Sequence, residues 1–109
     1  MQEMTPRDAV RIRQGTAVAT ALEKARDSLE RGDLRNGAKC FAAALQAAGP
    51  DSATADLRRA LWLEHSGFLL RRQYLEEAGR VISIYLKDAR ALADSGAVCE
   101  LLAFTAELA

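Results

Sequence analysis

Apolar positions along this chain recur three, four and seven residues apart almost throughout, the spacing that lines one face of an α-helix. Thr5, Pro6 and Asp8 compose a helix start, with a capping hydroxyl, a proline at the tolerated first position and an acid near the positive end. From there Val10, Val18, Ala21, Leu22, Ala25 and Leu29 make one stripe up to a stop at Gly32. Gly15, about 1 kcal/mol less favourable than alanine inside a helix, marks a place where this first helix can break. Asp33 caps a second helix with the face Leu34, Ala38, Phe41, Ala44, Leu45 and Ala48, closed by Gly49-Pro50. Asp51 or Ser52 opens a third that runs to about Arg72, and a fourth covers roughly Tyr74 to Leu92. Asp94 or Ser95 opens a fifth, on which Val98, Leu101, Leu102, Thr105 and Leu108 keep helical spacing.

No stretch alternates in the manner of a strand, and Val81 to Leu86, the one candidate, is embedded in a helical pattern. The expectation is an all-α protein of about five helices forming a single domain over residues 1–109. Loops of one to four residues leave these helices no packing except as antiparallel neighbours.

The turn Gly32-Asp33-Leu34, followed by Gly37, Phe41, Ala44, Leu45 and Pro50, resembles the tetratricopeptide repeat. In that family a glycine and an acid make the turn, and a small residue, an aromatic, an alanine, a leucine and a proline follow. The proline here stands one residue late, and Ala21 and Lys24 occupy places where the family prefers tryptophan and leucine. A second unit begins with Trp62 in the tryptophan place, passes through Ser66-Gly67 and Leu69, and continues from Tyr74 through Ala78 to Ile82, with no glycine in its turn. The resemblance covers about residues 18 to 86 and implies a helix-turn-helix array with the fifth helix as a C-terminal cap, which such arrays need. A closed helical bundle is the alternative architecture. In the repeat registration the groove-facing positions are Leu22, Arg26 and Leu29 on the first helix and Leu63, Gly67, Leu70 and Arg71 on the third.

Composition narrows the function. Fifteen basic and fifteen acidic side chains cancel, so the chain lacks the positive surplus that drives binding to nucleic acid or anionic membranes. No apolar run approaches the roughly 20 residues of a membrane span, and MQEMTPRDAVRIRQG is charged where a signal peptide is apolar. The cytoplasm is the expected compartment, and heavy use of alanine and arginine suits a bacterial chain. Cys40 and Cys99 each sit in an apolar helical pattern and read as reduced core residues.

Little here reads as catalytic chemistry. His65 is the only histidine, which leaves no metal-ligand cluster with Cys40, Cys99 or the carboxylates. It reads as a partly buried residue. An enzyme using His65, Glu64 and Cys40 would need the three to converge on one pocket. Glu76 and Glu77 open the fourth helix and pair with Arg80, while Glu23, Arg26, Asp27, Glu30 and Arg31 describe a solvated, ion-paired face. Arg31-Gly32-Asp33 matches an adhesion tripeptide, but a helix-to-helix turn accounts for both its glycine and its acid. Arg58-Arg59, Arg71-Arg72 and Arg80 have acids interspersed and no aromatic run, unlike a nucleic-acid stripe. Arg58 and Arg59 stand at the positive end of their helix, which calls for an acidic neighbour such as Asp56, or a partner.

The third helix is apolar nearly all round. Leu57, Leu61 and Phe68 share one face, Trp62 and Leu69 a second, and Leu63 and Leu70 a third with no evident intramolecular use. The expected function is therefore non-enzymatic. The chain holds a peptide or helix of another protein in an apolar groove, as an adaptor, scaffold or secretion-chaperone-like module, with Arg26 and Arg71 selecting acidic groups. It carries no catalytic, cofactor or metal residues and binds neither nucleic acid nor membrane. Self-association is expected as well, simplest as a dimer paired through helix three, or through helix five at Val98 and Leu102, and the alternative function is a self-assembling bundle whose apolar faces serve homo-oligomerisation.

Overall fold

The computed structural model describes the backbone of residues 6–108 and the side chains of residue 6 and residues 13–108. Among the described residues the chain is all-α, with α1 over Pro6–Glu30, α2 over Leu34–Ala48, a 3₁₀ turn over Ser52–Thr54, α3 over Ala55–Arg71, α4 over Leu75–Ala91 and α5 over Ser95–Glu107. The expected cap at Thr5 and the side chains of Asp8 and Val10 lie outside the described residues. The structure gathers into two compact units, one ending at Asp51 and the other starting at Ser52.

In the first unit α1 and α2 form a helical hairpin. Val18, Ala25 and Leu29 of α1 are buried with Phe41, Ala44 and Ala48 of α2. Gly15 does not break α1, which runs through it without interruption. The hairpin turn is a Schellman closure: Gly32 lies at φ 82, its N–H donates to the Leu29 carbonyl at 3.0 Å, and the Asp33 N–H donates to the Ser28 carbonyl at 2.9 Å. Asp33 then caps α2, its carboxylate accepting from the Asn36 N–H at 3.1 Å. Gly49 closes α2 at φ 75, and its N–H donates to the Leu45 carbonyl.

In the second unit α3, α4 and α5 pack together. The third helix starts later than Asp51 or Ser52, because Ser52–Thr54 form a 3₁₀ turn after Gly49-Pro50 and Thr54 takes the N-cap position without a side-chain cap bond. The α3–α4 and α4–α5 turns repeat the hydrogen bonds of the first. Gln73 and Tyr74 donate to Leu70 and Leu69, and Ala93 and Asp94 donate to Arg90 and Ala89. Gln73 at φ 64 and Ala93 at φ 56 stand in the left-handed place that glycine fills at residue 32.

Laid on each other at one constant offset, the α1–α2 and α3–α4 hairpins also share their buried positions. Ala25 corresponds to Ser66, Ser28 to Leu69, Gly37 to Ala78, Phe41 to Ile82, Ala44 to Tyr85 and Ala48 to Ala89, and all twelve are buried. Helix α5 runs in the same direction as α3. Its Gly96 lies against the Arg59 guanidinium, and Phe104, eight residues on, lies against Gly67.

Candidate functional site

The third helix distributes its apolar residues over several neighbours. Leu61, Trp62 and Leu69 are buried. Trp62 meets Tyr85 of α4 with ring centroids 6.2 Å apart. His65 lies in the same interior, 1% exposed, with Nδ1 at 2.6 Å from the Tyr85 hydroxyl and the rings edge to face. Burial pushes the His65 imidazole down to about 4 and pushes the Tyr85 phenol up. The expected partly buried histidine is thus a core residue that joins α3 to α4.

The opposite side of α3 carries the sequence-predicted binding positions. Leu63 and Leu70 are half-buried and Arg71 is exposed. Gly67 is covered, because a β-carbon there would stand 3.1 Å from Arg71 Nη1 and 3.8 Å from the Phe104 ring. This corrects the expectation that the Leu63 and Leu70 stripe has no intramolecular use, since α5 lies along it. In the first unit Leu22 is half-buried, Arg26 exposed and Leu29 buried, the last packed onto Gly37. Of the two positions proposed for an oligomer interface, Val98 is half-buried and Leu102 is 44% exposed.

The paired arginines find their acid in an unexpected place. Arg59 Nη2 donates to Asp94 Oδ1 at 2.6 Å, and the missing β-carbon of Gly96 makes room for the guanidinium. Asp94 also caps α5 through the Ala97 N–H at 3.1 Å. Its carboxyl is held below the usual carboxylate range, first by the Arg59 hydrogen bond, and the Arg59 guanidinium is raised in return. Asp56, the acid expected from sequence, acts on Arg59 only weakly and at a distance. Arg58 is buried and donates to Thr54 Oγ1 at 2.9 Å. Arg72 lies over the Phe68 ring, 5.1 Å from its centroid. Arg80 forms two hydrogen bonds to Glu77, at 2.7 and 2.8 Å, which hold the Glu77 carboxyl low. Four of the five arginines in the candidate basic stripe are therefore engaged within the second unit.

The remaining candidates resolve as follows. Arg31 pairs with Asp27 and Asp33 caps α2, so the Arg31-Gly32-Asp33 tripeptide is committed to the turn. Cys40 is half-buried, whereas Cys99 is exposed, which corrects the reading of both as core residues. On α5 the buried face is centred on Ala97 and Leu101, and residue 99 falls on its outer side. Among the described residues no three histidine, cysteine or acidic side chains gather as metal ligands. No helix among them is long and apolar enough to cross a membrane. Sequence reasoning missed the part-buried pair in which Asn36 Nδ2 donates to Ser28 Oγ at 2.6 Å. It joins α1 to α2 across the turn, and the (i, i+8) spacing has no helical signature.

Comparison with known proteins returns no match, whether to a family model, to a curated protein or to a solved structure.

Proposed function

We propose that this chain is a non-enzymatic protein-interaction module of the tetratricopeptide-like kind, acting in the cytoplasm as an adaptor, scaffold or chaperone-like component. The reading rests on the part of the α3 stripe that α5 leaves accessible, where Leu63 and Leu70 remain half-buried and Arg71 is exposed. That is an apolar strip ending in a cation, suited to a peptide or helix that presents leucine-like anchors and an acidic group. Leu22 and Arg26 occupy the same side of α1. Leu29 and Gly67 are packed within their own units, Leu29 onto Gly37 and Gly67 under Arg71 and Phe104. The shared turn and buried pattern of the two hairpins favours the repeat-like interpretation.

The test is affinity capture with the full chain against Leu63→Asp and Arg71→Glu, each first shown by circular dichroism to keep its helix content. Loss of the same bound protein by both variants supports the proposal. Unfolding by Leu63→Asp, or capture that neither change affects, rejects this face.

A second reading is favoured by Leu102, whose exposure on α5 leaves a large apolar side chain in water. In that reading the chain self-assembles through the outer face of α5. Sedimentation equilibrium on wild type and Leu102→Asp separates the two, because only the second reading requires association that this substitution abolishes.

A further inference from the structure

Ala93 is held at φ 56 between α4 and α5, in the left-handed region where its β-carbon crowds a neighbouring carbonyl. Glycine relieves this in the first hairpin and nothing relieves it here. From Leu75 to Glu107 the chain holds no proline, so no residue forbids α4 and α5 from joining as one helix about 50 Å long. Moving Ala93 into the helical region would release its strain. It would also lift α5 off the side of α3 where Gly96 meets Arg59 and Gly67 meets Phe104. That vacated surface is already shaped for α5, and a second copy offers an identical helix.

We propose that the chain exchanges α5 between two copies. In the exchanged dimer each α4 continues into α5, and each α5 seats on the other copy's α3 with Phe104 against Gly67. The occupant of the surface is a second copy of this chain, and the proposal is independent of the peptide-binding reading above. Asp94 opposes the exchange, since its bond to the Ala97 N–H is a helix cap that exists only while the turn is closed. The α3–α4 turn has the same backbone strain at Gln73. There the buried His65–Tyr85 hydrogen bond and the Trp62–Tyr85 contact hold the two helices together. The exchange is assigned to the joint at Ala93, where α5 leaves Gly79 of α4, met by Leu108, as well as α3, and remakes both contacts on the other copy.

Sedimentation equilibrium of the full chain over a wide concentration range tests this with three variants. Ala93→Gly removes the strain and weakens a continuous helix in both copies, so dimerisation falls on the order of a thousandfold. Asp94→Ala removes the cap in both copies and strengthens dimerisation at least about tenfold. Leu102→Asp, on the exposed face, leaves it unchanged. The proposal is overturned if Ala93→Gly dimerises like wild type, if Asp94→Ala stays monomeric throughout, or if Leu102→Asp abolishes the dimer, the last result assigning association to the outer face of α5.

Discussion

Leu29 Cδ2 occupies the place where a β-carbon on residue 37 would stand, so Leu29 and Gly37 share one space at the α1–α2 contact. Both residues are buried, so Leu29 yields to an added β-carbon only by moving against its neighbours in the α1–α2 core. Alanine at this position gains about 1 kcal/mol of helix propensity and loses about 1 to 3 to overpacking. Gly37→Ala is therefore expected to lower stability by about 1 kcal/mol in urea titration. Leu29→Ala is expected to cost less in the Gly37→Ala background than in wild type, because one space is then being cleared and filled. Additive costs would show that the two side chains do not compete.

His65 gives the second unit its own pH dependence. Its folded value of about 4 lies below the ordinary 6.5 because burial disfavours the charged ring. The unfolded chain therefore binds the extra proton between these values. The contribution is fully present above pH 6.5 and is lost as pH falls through about 4, on the order of 3 kcal/mol in all. Asp94 and Glu77, held low by Arg59 and Arg80, lose their contributions at still lower pH. Since His65 is the only histidine, urea midpoints at pH 7.5 and 5 isolate it. His65→Phe should flatten the difference, and an unchanged slope would place the proton elsewhere.

Ser28 and Ser66 are both buried serines, yet they should respond oppositely to alanine. Ser28 accepts from Asn36, so Ser28→Ala removes a hydrogen bond that joins two helices and costs about 1 kcal/mol. Ser66 Oγ has no hydrogen-bond partner among the described residues, and its counterpart in the first hairpin is already Ala25. Ser66→Ala is expected to raise stability by about 1 kcal/mol. Thermal unfolding of the two variants checks the pair, and a loss from Ser66→Ala would mean that its hydroxyl is satisfied.

Local grammar made most of this fold legible. Asp33 and Asp94 announce their helices because a carboxylate before an apolar stripe satisfies free amides, and Gly32 and Gly49 announce their ends through positive φ. What sequence could not supply were meetings between distant residues. Arg59 finds Asp94 because α5 returns parallel to α3, whereas sequence spacing points only to near neighbours such as Asp56. The same return of α5 covers Gly67, which made a third-helix stripe look unused. Gly15 was overvalued as a break, since one glycine's penalty is small against the helical preference of its neighbours. Cys99 reads as a core residue by type, and residue type says nothing about the side of the helix on which packing leaves it.

The α3–α4 turn should be the easiest place to stabilise. It keeps the backbone of the first turn while lacking both residues that suit it, with Gln73 in the left-handed place of Gly32 and Tyr74 in the capping place of Asp33, making no side-chain cap. Tyr74 is 37% exposed, so its loss removes little core. Gln73→Gly relieves a strain of about 1 kcal/mol, and Tyr74→Asp adds a cap worth about 0.5 to 2. These act on different groups and should nearly add, raising stability by about 2 kcal/mol in the double variant. The reverse changes, Gly32→Gln and Asp33→Tyr, should weaken the first hairpin by similar amounts. Amide exchange at the start of α4 provides the local check: slower exchange in the double variant is expected, and unchanged exchange there would locate the stability of this turn entirely in the His65–Tyr85 interior.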